Sequence, residues 1–162
     1  SERMLLECLH AGGMSGEEVV FSRWGSSEPA VHLVPLDWLK PHEEILDKNV
    51  RQLEKMTLRW KGYTKPLLVD IKTGSILDGH HRYSVGMNLG LCRLPAMLFD
   101  YLNDDSIIVE AWPASGLESL AKQDIIDMCT SSELFSPKTS RHIVEAEVPP
   151  IHVPLDVLSQ ES

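Results

Sequence analysis

"ILDGHHRYSVGMNLG", residues 76–90, decides how the chain is read. An apolar run meets an Asp-Gly turn, and His80, His81 and Arg82 follow at once. A strand handing over to a helix in this way exposes the first N–H groups of the helix, where the helix dipole favours negative charge. Gly79 permits a tight turn and a close approach of an anion to the backbone. Arg82 can fork onto phosphate oxygens, and His80 or His81 can add hydrogen bonds. Asp78, just before the turn, can hold Mg²⁺ or act on a hydroxyl proton. The plainer alternative is that Asp78 caps the helix, with one histidine pointing away.

Outward from this junction, mixed strand and helix signals describe one α/β (α+β) domain. Residues 1–30 are poorly patterned, though "EEVVFSR" reads as a strand. Val31–Val34 form a short strand, and residues 43–61 read as a helix with Leu46, Val50, Leu53, Thr57 and Trp60 on its buried face and Gly62 as its stop. "PLLVDI" and "SILD" are strands joined by "KTG", and a helix is expected from about His81 to Asn88. "LPAMLFDY" and "SIIVEAW" are further strands, 116–130 a helix, and "ELFSPKTSRH" a loop. "HLVPLDWL" and "IHVPLDVL" look like one strand-then-turn unit used twice.

The 162 residues suit a single domain with a real core. The formal net charge of −9 disfavours nucleic acid, whose binding domains carry basic stripes. No apolar run approaches the roughly 18 residues that span a membrane, and the opening segment does not read as a signal peptide. Three widely spaced cysteines, Cys8, Cys92 and Cys129, indicate neither a disulfide framework nor a CxxC metal site, which points to a reducing, cytoplasmic setting.

Two more clusters bear on chemistry. "KPHEEI" sets His42, Glu43 and Glu44 at the expected helix start, where carboxylates also serve as ordinary dipole partners. "SPKTSRH" gathers Lys138, Thr139, Ser140, Arg141 and His142 in a chain with only 15 Lys and Arg. Hydroxyls interleaved with cations can cradle phosphate. Trp112 ends a strand, either in the core or at a site.

"ILDGHHRY" resembles the central motif of the ParB/sulfiredoxin-like superfamily. The order "PHE", "DGHHR", "AW", "SPKTSRH" is similar to that of the free serine kinases, which phosphorylate L-serine to O-phospho-L-serine. The resemblance covers roughly residues 31–158. It departs from sulfiredoxin, which needs a cysteine where His80 stands, and from the partition proteins, which carry a "GERR"-type motif and a helix-turn-helix.

The resemblance implies the following roles. Glu43 takes the serine hydroxyl proton, and Asp78 assists through Mg²⁺ or substrate. Gly79, His80, His81 and Arg82 hold the transferred phosphate. Trp112 and His42 shape the serine site. Residues 138–142 hold the donor, Ser140 standing where the family often has Thr. Nucleotide-using members carry an extra domain where this chain has only residues 113–135. Inorganic pyrophosphate is therefore the expected donor, with ADP or ATP as the alternative. A rival reading is a silent ParB-like module that binds a small phosphorylated ligand. The sequence does not decide the oligomeric state.

Overall fold

The computed structural model describes residues 21–26, 29–111, 120–131, 133–135, 140–144 and 148–160. Trp112, Lys138, Thr139 and the first part of the expected 116–130 helix lie outside them, as do residues 1–20 of the N-terminal segment.

Five strands form a mixed sheet in the order β1-β2-β6-β4-β5. These are β1 (Ser22–Trp24), β2 (Val31–Pro35), β4 (Leu67–Asp70), β5 (Ile76–Asp78) and β6 (Arg93–Phe99). β4 runs parallel to β6, and the other neighbours are antiparallel. The β4–β5 pair is the expected hairpin around "KTG", with a register shift at Leu68/Val69. Asp70 secures that turn, its Oδ2 accepting from the Thr73 N–H and hydroxyl.

Both sheet faces are buried, as the continuous apolar run of β4 requires. Leu67 and Val69 face a cluster with Val50 of α1 (Asp47–Trp60) and Val85 of α2 (His80–Asn88). Leu68, between them, faces a second cluster with Ile125, Ile126 and Cys129 of α3 (Lys122–Ser131) and with Ile107 of β7 (Ile107–Ala111). β7 pairs antiparallel with β8 (Ser140–Val144). Separately, β3 (Gly62–Tyr63) pairs with β9 (Val153–Pro154).

The repeated "VPLD" unit is real in three dimensions. β2 runs into a 3₁₀ turn, Leu36–Trp38, and β9 into the short helix α4, Leu155–Leu158. The two units meet at Cys92, whose carbonyl accepts from Leu36 N–H while its own N–H donates to the Leu158 carbonyl.

Five expectations need correction. α1 begins at Asp47, and residues 43–46 are extended, so Glu43 and Glu44 are not first-turn dipole partners. On α1, Val50 and Thr57 are buried, whereas Leu46 and Trp60 at its two ends are exposed. The helix stops in a left-handed Lys61, while Gly62 serves close packing, since a Cβ there would lie 2.5 Å from the Val153 carbonyl. The "SPKTSRH" segment is not all loop, because Ser140–His142 belong to β8. Cys92 is disulfide-bonded, which the cysteine spacing did not indicate, and Cys129 is a free, buried thiol. Among the described residues no helix is long and apolar enough to cross a membrane.

Candidate active site

Three separated stretches converge on one cavity of about 370 Å³. The extended segment before α1 supplies Glu43 and Glu44. The β5–α2 junction supplies Leu77, Asp78, Gly79, His80, His81 and Arg82. The start of β8 supplies Ser140, Arg141 and His142.

Gly79 makes the junction possible. It is the N-cap of α2 with φ 114°, in a region that L side chains rarely adopt. A Cβ there would also lie 2.7 Å from the Leu67 side chain and 3.2 Å from the Arg82 guanidinium. Asp78 makes no capping hydrogen bond; its exposed carboxylate stands 3.8 Å from Arg82 Nη2. Arg82 also donates to the Pro66 carbonyl at 3.3 Å, while Nε has no partner. Burial lowers its pKa and Asp78 opposes that, so the guanidinium stays charged at the cavity wall.

Glu43 is placed by backbone pairing, not by a helix. It bridges to Phe135, with Phe135 N–H donating to the His42 carbonyl and Glu44 N–H to the Phe135 carbonyl, both at 2.7 Å. The His42 N–H donates to His80 Nε2 at 3.1 Å, which ties this segment to the first residue of α2. Glu44 lines the same cavity and is more exposed than Glu43.

Burial holds His42, His80 and His142 neutral, and each is already engaged. His42 is fully buried, and its Nε2 pairs with Ser140 Oγ at 2.8 Å. It therefore lies behind the cavity wall, not on it as a substrate-binding residue. Burial, with His142 nearby, pushes its pKa down to about 3. His80 is held well below its ordinary value by burial and by the surrounding His42, His142, His81 and Arg82. His142 is lowered to about 4, first by burial and then by Lys122, against a hydrogen bond to the Leu77 backbone. The rings of His42 and His80 meet edge-on at 4.5 Å, and those of His42 and His142 lie 6.0 Å apart. His81, half-buried, accepts from the Leu46 N–H through Nε2. Because both Nε2 atoms of the pair accept, each ring has at most Nδ1–H left for an anion. The positive charge at this wall comes from Arg82 and the helix N-terminus.

Arg141 lines the cavity but also pairs with Glu110 across β7–β8 at 2.7 Å. A hard cation such as Mg²⁺ prefers carboxylate oxygen, which the exposed Asp78 offers at the cavity wall. The ligand atoms of His42, Glu43 and His80 lie within 4.8 Å of one another, but that set is nitrogen-rich and the His80 Nε2 lone pair is already committed.

Sequence reasoning missed two features. Tyr101, whose hydroxyl meets His142 Nε2 at 2.8 Å, carried no local signal. A second cavity of about 410 Å³ shares Asp78 and Arg82 with the first. Thr64, Lys65, Pro66 and Leu68 line it on one side, Val148, Pro149 and Pro150 on the other. The prolines were the only hint, and they read equally well as turns.

No family model matches the chain. It is 37% identical over 82 residues to a ParB-like protein of Sulfolobus acidocaldarius, a match covering 48% of this chain and 40% of that protein. It is 32% identical over 85 residues to an ADP-dependent L-serine kinase of Thermococcus kodakarensis, covering 50% of this chain and 35% of the kinase. These matches span well under half the length of the curated relatives. The structure of a free serine kinase in complex with AMP superposes with a TM-score of 0.71 at 18% identity, over 79% of this chain and 93% of that one. In sequence the chain is thus similar to a ParB-like protein and to L-serine kinases, and in fold to a free serine kinase.

Proposed function

We propose that the protein phosphorylates free L-serine to O-phospho-L-serine, with inorganic pyrophosphate as donor. The observation that carries this reading is that the Glu43 carboxylate lines the same cavity as the α2 N-terminus and Arg82. A binder of anions gains nothing from a carboxylate beside the anion, whereas phosphoryl transfer needs a base there.

In the proposed reaction Glu43 accepts the serine hydroxyl proton as that oxygen bonds to phosphorus. The bond from phosphorus to the bridging oxygen of the donor breaks, and phosphate leaves with the electron pair. The N–H groups after Gly79 and the Arg82 guanidinium hold the transferred group in line and offset its charge, which is most of what such a transfer requires. Mg²⁺ held by Asp78 would neutralise donor charge. Ser140 and Arg141 face the donor, and Trp112, Lys138 and Thr139 keep the serine-shaping and donor-binding roles that the resemblance implies.

A nucleotide donor is the second reading, and the second cavity favours it. Pro66, Leu68, Val148, Pro149 and Pro150 give it broad apolar walls beside Arg82, which suit a base better than a phosphate. The relatives' names also specify ADP or ATP. The deciding experiment is phosphoserine formation at matched Mg²⁺ with pyrophosphate, ADP and ATP side by side. A far higher kcat/KM with pyrophosphate supports the first donor. Efficient turnover with a nucleotide and none with pyrophosphate establishes the second.

A further inference from the structure

Tyr101 is fully buried, two residues past the end of β6, and every polar atom it has is engaged. Its N–H donates to Asp70 Oδ1 at 3.2 Å, and its carbonyl accepts from Lys122 Nζ at 2.9 Å. The same ammonium stands 5.3 Å over its ring. Its hydroxyl meets His142 Nε2 at 2.8 Å, with the ring centroids 5.4 Å apart. Burial raises the phenol pKa and keeps it protonated, so the hydroxyl has a proton to donate to Nε2. With the hydroxyl donating, His142 carries its proton on Nδ1, and both His142 and Leu77 line the anion cavity. Leu77 immediately precedes Asp78 and Gly79. Hydrogen bonds run from Asp70 through Tyr101 to His142, which lines the cavity with the anion turn.

We infer that Tyr101 is a positioning residue for anion binding: by holding His142 in one tautomer and one orientation in the cavity wall, it sets where His142 and its β8 neighbours Ser140 and Arg141 stand relative to the Gly79–Arg82 turn. The consequence for turnover rests on the phosphoryl-transfer reading, whereas the tautomer and the anion affinity do not. A tyrosine kept only for packing would leave its hydroxyl without effect, because phenylalanine fills nearly the same volume.

The test is Tyr101→Phe in the full chain, read three ways. Imidazole ¹⁵N spectra of the wild type are expected to show His142 with Nδ1 protonated and Nε2 bare, and the variant to show a mixture of tautomers. Calorimetric titration with inorganic pyrophosphate is expected to show binding weakened about tenfold, the worth of one hydrogen bond to an ionisable partner. Steady-state kinetics should show the donor KM raised by a similar factor with kcat little changed. Thermal unfolding of the variant checks that it is folded. Unchanged His142 signals and unchanged pyrophosphate affinity overturn the inference. So does a loss of binding that only tracks the fraction unfolded, or a wild type that binds no pyrophosphate. A wild type that binds pyrophosphate, with the predicted tautomer change in the variant but no phosphoserine formed, upholds the inference and overturns the serine kinase reading instead.

Discussion

The backbone N–H of His42 donates to Nε2 of His80 across 3.1 Å, joining the segment that carries Glu43 to the first residue of α2. Both residues are buried, and the bond couples the position of the proposed base to that of the anion turn. His80→Ala leaves a buried N–H without its acceptor, which costs about 1–3 kcal/mol. Urea denaturation should show that loss, and kcat should fall further than donor binding because Glu43 is no longer held to α2. Equal stability with unchanged kcat would mean that the bond does not position Glu43.

The neutral histidines make a prediction about acid. His42 and His142 have pKa values lowered to about 3 and about 4 in the folded protein, and His80 is also strongly lowered. In the unfolded chain each titrates near 6.5. Below that pH the unfolded state takes up protons that the folded state refuses, so stability is complete above about pH 6.5 and declines as the pH falls towards 4. Each histidine contributes a slope of up to about 1.4 kcal/mol per pH unit in that window. Denaturation midpoints measured from pH 7.5 down to 5 should fall steadily below 6.5. A flat profile would show that these rings are not held neutral.

Arg82 supplies a planar fork and a fixed charge. Arg82→Lys keeps the charge and loses the fork, and it also loses the bond to the Pro66 carbonyl. Phosphate binding by calorimetry should therefore weaken more than charge counting suggests, and Arg82→Ala should abolish most of it. Asp78→Asn should lower turnover and blunt the Mg²⁺ response. Unchanged phosphate affinity in Arg82→Ala would remove the α2 N-terminus as the anion site.

What the sequence disclosed follows from range. The Asp78–Arg82 junction was legible because its turn, its glycine and its helix start are all local. The repeated "VPLD" units were legible for the same reason, each proline being set before a short helical turn. Glu43 lines the cavity, but the helix start expected around it was the wrong setting, since its extended backbone depends on pairing with Phe135, far along the chain. His42 and His142 looked like ligand groups, but their burial against Ser140 and Tyr101 is a tertiary fact without a local trace. The second cavity joins residues 64–68 to 148–150, a contact that no window of sequence reports.

The central claim is that this cavity transfers a phosphoryl group to serine with Glu43 as base. The most direct measurement is the rate of O-phospho-L-serine formation from L-serine and Mg²⁺ with each of pyrophosphate, ADP and ATP, for the wild type, Glu43→Gln and Glu44→Gln. The account predicts turnover by the wild type, a fall of about 10²–10⁴-fold in Glu43→Gln with the fold intact, and a much smaller change in Glu44→Gln. No phosphoserine from the wild type with any donor, or near-normal turnover in Glu43→Gln, would contradict it.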